Sequence, residues 1–194
     1  MAGMEQVAGL LLTGGASRRM GRDKASLTLA GRTCAELAAA ALRDGLDGPV
    51  LEVGPGRSPL ASVSEDRPGS GPLAALAAGT AALTTMGHYG AVVLLACDMP
   101  FVTSELVAFL AAGLGTAVPL VGGRAQPLCA RYGAGSGPVA ARLVASGARS
   151  LQALLDRLDV TWLDEAAWRA VASARTFADV DTPADLAALG LVAG

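Results

Sequence analysis

A short segment near the N-terminus concentrates glycine and positive charge. The segment TGGASRRMGRDK, residues 13–24, follows an apolar run and contains Gly14, Gly15, Arg19 and Lys24. Adjacent glycines let backbone N–H groups come close to an anion or to the edge of a base. A guanidinium fork and a lysine point charge can bracket a polyphosphate. This chemistry suits a nucleoside triphosphate, and the alternative is a solvated basic loop of the kind found on many proteins.

The spacing of these residues excludes the two most familiar phosphate-binding motifs. A P-loop needs the pattern GxxxxGK[ST], but Gly21 is followed by Arg22, Asp23, Lys24 and Ala25. The dinucleotide fingerprint GxGxxG is also absent, because the first two glycines of the segment are adjacent and the next one is too distant. A phosphate bound by this segment is therefore held in another arrangement.

An aspartate follows the most apolar strand-like run of the chain. The run YGAVVLLAC ends at Cys97 and leads directly into Asp98, Met99 and Pro100. A carboxylate at the end of a buried strand is a good hard-oxygen ligand for Mg²⁺, which neutralises charge where a triphosphate is attacked. The alternative on the residues alone is an aspartate that only shapes a turn before the proline.

Three further segments carry charged residues in places where a ligand can bind. SEDRPGSGPLAAL contains Asp66 and, at a Gly-Pro-Leu helix start, Gly71; it can recognise a base or ribose, or it can be an ordinary loop-to-helix boundary. FADVDTPADL contains Asp181, which can cap the final helix or add a carboxylate to a metal or phosphate site. GGRAQPLCARY contains Arg124, which can meet an anionic acceptor or lie at the tip of a hairpin.

Strand-like and helix-like patterns alternate along the chain. The predicted strands are residues 6–12, 49–53, 61–64, 89–96, 115–121, 126–132 and 160–163, and the predicted helices are residues 33–43, 71–86, 103–113, 136–146, 149–157 and a last helix from Thr182. This alternation predicts one α/β domain over residues 1–194, with a parallel or mostly parallel sheet covered by helices. In such sheets ligands bind beyond the carboxyl ends of the strands, so function is expected after Leu12, Val53, Ala96 and Val121.

The composition argues against several classes of protein. The chain of 194 residues has a net charge of −2, so it has no general attraction for nucleic acid. No apolar run reaches the roughly 18 residues of a membrane-spanning helix, and the N-terminus lacks a signal-peptide pattern. Three widely spaced cysteines and one histidine argue against a zinc site and fit a cytoplasmic protein with reduced thiols.

Together these motifs resemble those of the molybdenum cofactor guanylyltransferase (MobA) family. LTGGASRRMGRDK resembles the signature LAGGxSxRMGxDK, with Thr13 where the family usually has Ala, and CDMP resembles the family's metal motif. GPLAAL and FADVDTPADL resemble the family's GPLAG turn and its closing motif, and all of the motifs occur in family order between Val7 and Leu186. The resemblance implies a three-layer αβα sandwich with a mostly parallel, Rossmann-like nucleotidyltransferase sheet.

The resemblance also implies a reaction and its reactants. It implies transfer of GMP from GTP to the phosphate of molybdopterin, giving molybdopterin guanine dinucleotide and pyrophosphate, with Mg²⁺ as cofactor and cofactor-delivery proteins among the partners. Two other activities stay open, namely cytidylyl transfer to the same cofactor and nucleotidyl transfer to a sugar phosphate. The rival from another class is a non-catalytic nucleotide-binding protein, against which the joint retention of Arg19, Lys24 and Asp98 argues.

By the same resemblance, the functional roles fall on particular positions of this chain. Arg19, Lys24 and Asp98 are the expected catalytic residues, and Asp98 and Asp181 are the expected metal ligands. The expected nucleotide-binding residues are spread over several segments: Leu12, Thr13, Gly14, Gly15, Lys24, Val53, Asp66, Gly71 and Asp98. Relatives often supply an Asn after the second strand, where VLEVGPG has none, so one nucleotide contact is expected to be missing or replaced.

Overall fold

The computed structural model describes residues 6–14, 28–29, 31–65, 69–180 and 185. In chain order the elements are β1 (Ala8–Leu12), β2 (Thr28–Leu29), β3 (Arg32–Thr33), α1 (Cys34–Gly45), β4 (Val50–Val53), β5 (Ala61–Val63), α2 (Pro72–Thr85), β6 (Val92–Ala96), α3 (Ser104–Ala111), β7 (Thr116–Val121), β8 (Arg124–Ala125), β9 (Cys129–Tyr132), α4 (Ser136–Ala145), α5 (Leu151–Leu155), β10 (Val160–Leu163), α6 (Glu165–Trp168) and a 3-10 turn (Ala174–Phe177). The predicted last helix starts at Thr182, which lies outside the described residues.

A mixed, mostly parallel sheet forms the centre of the fold. Its strand order is β10-β7-β9-β6-β1-β4-β5, with β8 paired to β7, and β2 pairs with β3 in a separate hairpin. β1 is parallel to both of its neighbours, β4 is parallel to β5, and β10 is parallel to β7. Within the described part of this sheet, β8 and β9 supply the antiparallel pairs. The prediction of a mostly parallel α/β sheet is confirmed.

The reversal at β9 follows from the short connection that precedes it. β7 ends at Val121 and β9 begins at Cys129, with only the short strand β8 between them. A parallel crossover needs about a dozen residues or more, so the chain returns in the opposite direction. β9 then lies between β6 and β7 and is antiparallel to both.

Helices cover both faces of the sheet. On β1, Leu11 packs into an apolar cluster with α1 and α3, whereas Leu10 packs into a second cluster with α2, α4 and α5. Every residue of β1 and β6 is buried, as expected for parallel strands with helices on both sides. Each fully buried leucine contributes about 1.5–3 kcal/mol to the stability of this core. The predicted three-layer αβα sandwich is therefore confirmed.

Two predicted helix starts are confirmed. The hydroxyl of Thr103 accepts the N–H of Leu106 at 3.4 Å and so caps α3. Pro72 is the first residue of α2, where its missing N–H costs no helical hydrogen bond. None of the helices in the described part of the chain is long and apolar enough to cross a membrane.

Some predicted boundaries differ from the structure for local physical reasons. β6 begins at Val92 rather than at residue 89, and Tyr89 is 72% exposed in the turn before it. α5 begins at Leu151 rather than at residue 149, because Ser150 caps it. The segment at Arg124, predicted as a loop, forms β8. The four-residue helix α6 and the two-residue strands were not predicted, because such short elements have no detectable periodicity.

Candidate active site

The ends of three adjacent strands meet at one edge of the sheet. In the register of β1, Leu12 lies beside Val53 on β4 and beside Ala96 on β6. The chain proceeds from β1 to β4 on one side and later to β6 on the other, and α/β sheets open a ligand crevice at such a switch point. The segments that begin at Thr13 and at Cys97 therefore start side by side, beyond the carboxyl ends of their strands.

Hydrogen bonds from both neighbouring strands hold the turn after β1. The N–H of Thr13 donates to the carbonyl of Val53 at 3.2 Å, and the N–H of Cys97 donates to the carbonyl of Leu12 at 3.0 Å. Thr13 is buried, whereas Gly14 is exposed. The carbonyl of Thr13 and the N–H of Gly14 are thus the first main-chain groups beyond the paired part of β1.

A buried carboxylate fixes the side chain of Thr13. Glu52 is the third residue of β4 and has no exposed surface. Its Oε1 accepts the hydroxyl of Thr13 and the N–H groups of Gly56 and Arg57, the latter two at 2.7 Å. Its Oε2 accepts the N–H of Arg57 at 3.0 Å and the N–H and hydroxyl of Ser58 at 2.8 and 2.7 Å. One carboxylate therefore joins the end of β1 to the loop after β4.

These donors keep Glu52 charged in the interior. Burial alone would raise the pKa of this carboxyl group, because the charged form loses its water. Hydrogen bonds from the hydroxyls of Thr13 and Ser58, and from the backbone of Arg57 and Ser58, outweigh burial and hold the pKa of Glu52 below its ordinary value. Glu52 is therefore an anion at neutral pH, satisfied by hydrogen bonds.

Gly54 allows the close junction between the two strand ends. A Cβ on Gly54 would overlap Oγ1 of Thr13 and would lie 2.9 Å from the backbone nitrogen of Gly14. Any larger residue would push the turn after β1 away from β4. Val53, the preceding residue, is completely buried, and its carbonyl accepts the N–H of Thr13. The structure therefore places Val53 behind the turn, in a supporting position rather than on the surface that a nucleotide could touch.

Asp98 lies two residues beyond the end of β6, at the same edge. Its side chain is half-buried, and the N–H of Met99 donates to the carbonyl of Ala96 at 3.4 Å to close the turn. The carbonyl of Asp98 accepts the N–H of Val180 at 2.7 Å. The C-terminal segment is thus tied to the end of β6 at the residue that precedes Asp181.

The charge of Asp98 extends to the first residue of α1. Cys34 is fully buried, and burial, followed by the negative charge of Asp98, raises the pKa of the Cys34 thiol to about 11. A thiol with that pKa is protonated at neutral pH and is a poor nucleophile. Cys34 is therefore not suited to act as a nucleophile at this site.

A second carboxylate lies beside the turn after β1. Oε1 of Glu65 is 3.9 Å from the position that a Cβ on Gly14 would occupy. Oε2 of the same side chain accepts the N–H of Ser70 at 3.3 Å, which holds it in the loop before α2. Asp66, the residue predicted to contact the nucleotide, is the next residue in the chain and lies outside the described residues.

Gly71 allows the start of α2 to pack tightly against another loop. Its φ is 101°, and a Cβ there would lie 2.7 Å from the carbonyl oxygen of Arg149. That carbonyl accepts the N–H of Leu73 at 3.4 Å, and the guanidinium of Arg149 donates to the carbonyl of Gly69 at 2.7 Å. These contacts explain the glycine by packing, and its contact with a base stays a prediction.

The turn before β9 lies at the same edge of the sheet, on the side of β6 that faces away from β1. The carbonyl of Leu128 accepts the N–H of Ala96 at 2.9 Å, and the carbonyl of Pro127 accepts the hydroxyl of the buried Tyr132 at 2.8 Å. Arg124 is exposed and lies close by in the chain, on β8. This turn therefore borders the end of β6, two residues before Asp98, on the side opposite to β1.

The structure places part of the predicted site. It brings five of the predicted residues to one sheet edge, namely Leu12, Thr13, Gly14, Val53 and Asp98. The other predicted residues apart from Gly71 lie outside the described residues: Gly15, Arg19, Lys24, Asp66 and Asp181. In the part of the chain that the structure describes, no group of three or more His, Cys, Asp or Glu side chains could hold a metal ion. The metal site at Asp98 and Asp181 therefore stays a prediction.

Two carboxylates of this edge, Glu52 and Glu65, were not predicted from the sequence. A usable signal for Glu52 was a single charge inside the apolar strand VLEV, because a buried carboxylate needs donors and the following GPGRS loop can supply them. The signal for Glu65 was weaker, because it adjoins Asp66, and the spacing of the motif does not show which of the two side chains lies beside Gly14.

Sequence comparison identifies relatives over nearly the whole chain. A sequence model of the MobA-like NTP transferase domain matches residues 9–165. A probable molybdenum cofactor guanylyltransferase from Mycobacterium avium (strain 104) is 36% identical over 200 residues, which cover 97% of this chain and 98% of that protein.

Solved structures share the fold. Molybdopterin-guanine dinucleotide biosynthesis protein A from Archaeoglobus fulgidus has a TM-score of 0.76 at 24% identity, covering 94% of this chain and 96% of that one. The 2-C-methyl-D-erythritol 4-phosphate cytidylyltransferase from Thermus thermophilus has a TM-score of 0.61 at 23% identity, covering 95% and 97%. At these identities the two structures show the fold alone. The sequence matches, by contrast, confirm the family resemblance, and the chain belongs to the MobA-like NTP transferase domain family.

Proposed function

We propose that this chain transfers GMP from GTP to the terminal phosphate of molybdopterin and releases pyrophosphate. The observation that carries the proposal is the junction of β1 and β6, where the main-chain groups of Thr13 and Gly14 and the carboxylate-bearing Asp98 follow adjacent strand ends. Family membership, and similarity over nearly the full length to a protein named a probable molybdenum cofactor guanylyltransferase, support the choice of nucleotide and acceptor.

The reaction replaces one phosphoanhydride bond by another. An oxygen of the acceptor phosphate forms a bond to the α-phosphorus of GTP, and the bond from that phosphorus to pyrophosphate breaks, with its electron pair leaving on pyrophosphate. The attacking phosphate is already an anion, so the step needs no strong general base. The single histidine, His88, contacts the carbonyl of Ala91 at the opposite edge of the sheet. Positioning and charge stabilisation are therefore the proposed sources of catalysis.

The base of the nucleotide is proposed to bind at the turn after β1. There the carbonyl of Thr13 supplies an acceptor, the N–H of Gly14 supplies a donor, and Glu65 supplies a carboxylate. The Watson–Crick edge of guanine carries two neighbouring donors, N1–H and the N2 amino group, which one carboxylate can accept together; cytosine offers only its amino group. Glu65, with Asp66 next to it in the chain, therefore favours GTP over CTP.

Asp98 and Asp181 are proposed to hold Mg²⁺. Carboxylate oxygens are the ligands that this ion prefers, and Asp98 presents a half-buried carboxylate at a strand end. The hydrogen bond from Val180 to Asp98 ties the residue before Asp181 to the same place. These donors fit the ion, which when bound would neutralise charge on the phosphates.

Arg19 and Lys24 are proposed to act on the triphosphate. Both belong to the basic segment that follows Gly14 in the sequence, directly after the turn proposed to bind the base. The guanidinium of Arg19 suits two oxygens of one phosphate, and Lys24 supplies a point charge for the α-phosphate or the leaving pyrophosphate.

The acceptor phosphate is proposed to approach Asp98 from the side of β9. The turn of residues 126–128 borders the end of β6 there, and Arg124 on β8 is an exposed cation that can pair with an anionic acceptor. Cofactor-delivery proteins are proposed as the source of the acceptor, as the resemblance to the family implies.

Pyrophosphate release, measured with each of the four ribonucleoside triphosphates, tests this function. Each triphosphate is assayed with and without molybdopterin, and with Mg²⁺ or a chelator. The proposal expects release that requires GTP, the acceptor and the metal ion. A preference for CTP would establish a cytidylyltransferase instead. Release that needs a sugar phosphate in place of molybdopterin would establish a sugar-phosphate nucleotidyltransferase. Nucleotide binding without any release would make the chain a non-catalytic binding protein.

A further inference from the structure

Glu52 connects two strand ends through one buried carboxylate and has no part in the chemistry proposed above. It accepts the hydroxyl of Thr13 at the end of β1. It also accepts three consecutive backbone N–H groups, those of residues 56–58, in the loop after β4. It is fully buried, so it cannot touch a nucleotide directly and any role in binding must pass through the residues that it holds.

We infer that Glu52 is a positioning residue for the nucleotide base, acting through Thr13; this inference rests on the proposed function. Thr13 is held at its main chain by the carbonyl of Val53 and at its side chain by Glu52. Gly14 follows directly, so the direction of its N–H depends on how Thr13 is held. A turn that is fixed before the nucleotide arrives loses little conformational entropy when the nucleotide binds.

The number of donors explains why a carboxylate stands at this position. A glutamine has one acceptor oxygen and an amino group that only donates, so it cannot satisfy the donors that now face the two oxygens of Glu52. In the variant Glu52→Gln, an amide oxygen in the place of Oε1 leaves the N–H of Ser58 facing an amino group, and an amide oxygen in the place of Oε2 leaves the N–H of Gly56 without its acceptor. In both orientations the acceptor that remains is neutral and therefore weaker. The charge and both oxygens of Glu52 are therefore needed to satisfy all of the donors at this junction.

Loss of the Glu52 carboxylate is expected to weaken the binding of the base and to leave the positioning of the reacting phosphates unchanged. Asp98 is positioned by β6 and by the hydrogen bond from Val180, and neither contact involves Glu52 or the side chain of Thr13. Loosening the turn after β1 should therefore weaken GTP binding and raise the KM for GTP, while kcat at saturating GTP changes little.

The test compares the wild type with Glu52→Gln and Thr13→Val. Thr13→Val keeps the branched shape of a buried side chain and removes one hydroxyl, so it leaves Glu52 its backbone donors. Calorimetry measures the binding of GTP and, as a probe of the phosphate part alone, of inorganic tripolyphosphate. We expect both variants to bind GTP about tenfold more weakly, and to bind tripolyphosphate within about twofold of the wild type. The KM for GTP should rise by a similar factor.

Leu83→Ala serves as the control for lost stability alone. Leu83 is buried in α2 near the opposite edge of the sheet, where its carbonyl accepts the N–H of His88. Its truncation destabilises the core, and partial unfolding lowers the active fraction and hence the apparent kcat. The KM of the molecules that stay folded should not change, which separates a structural effect from the positioning effect.

The outcomes separate this inference from the function on which it rests. A folded Thr13→Val variant with unchanged affinity for GTP overturns the inference, and so does an equal loss of affinity for GTP and tripolyphosphate. A wild-type chain that does not bind GTP overturns the proposed function itself. If Glu52→Gln does not fold, Thr13→Val alone decides.

Discussion

The main-chain carbonyl of Asp98 accepts the N–H of Val180 at 2.7 Å. This bond joins the end of a central strand to a segment some eighty residues further along the chain. It places the residue before Asp181 at the strand end that carries Asp98, where two separate stretches of sequence can act on one ligand. The resemblance to the family makes both aspartates expected metal ligands, with helix capping as the other role open to Asp181, and this contact is consistent with a shared metal site.

Asp98→Asn is expected to lower nucleotidyl transfer by at least roughly a hundredfold while the fold is kept, because the amide removes a charged metal ligand. Turnover and Mn²⁺ or Mg²⁺ binding are measured on the same samples, with circular dichroism as the check of folding. Asp179→Asn is the matched control, since Asp179 is an exposed aspartate one residue before Val180. Substantial Mg²⁺-dependent turnover in Asp98→Asn would remove this residue from the metal site.

Lys24→Ala is expected to lower kcat by roughly a hundredfold and to change the Kd of GTP by no more than about threefold. The reason is that negative charge builds up on the leaving pyrophosphate in the transition state. A cation at the α-phosphate or at the pyrophosphate therefore stabilises the transition state more than it stabilises bound GTP. Single-turnover kinetics and calorimetry measure the two quantities separately. Arg22→Ala is the comparison, because no role is assigned to that arginine. A large loss of affinity at unchanged kcat would make Lys24 a binding residue only.

The central fold could be predicted from the sequence because its signals are local. Apolar runs such as that of β6, and caps such as Thr103, are determined by neighbouring residues. The role of Glu52 could not be predicted in the same way, since its partner Thr13 is 39 positions away. The position of Glu65 beside Gly14 likewise depends on how two loops meet in space. Motif spacing identifies a loop, but contacts across strands decide which of its side chains enters the site.

Glu65→Gln is expected to reduce the preference for GTP over CTP by about tenfold in kcat/KM. A carboxylate can accept two guanine donors with its two oxygens, whereas an amide has one acceptor oxygen and no charge. The loss should fall on GTP, and the value for CTP should change little. Competition between the two triphosphates in the pyrophosphate-release assay measures this ratio directly. Glu105→Gln is the control, as Glu105 is an exposed acidic residue on α3. An equal loss for both nucleotides would assign Glu65 to loop structure and leave base selection to other groups.

The buried thiol of Cys129 is expected to make the folded protein less stable at alkaline pH. Burial raises the pKa of its thiol from an ordinary value of 9.0 to about 12. Above pH 9 the unfolded chain loses this proton while the folded chain keeps it, so the free energy of unfolding falls as pH rises towards 12, by up to about 1.4 kcal/mol per pH unit. Denaturant unfolding at several pH values between 7 and 10.5 should show a shallower decline for Cys129→Ala than for the wild type, after a pH-independent cost from the lost sulfur. Parallel curves above pH 9 would mean that this thiol titrates alike in both states.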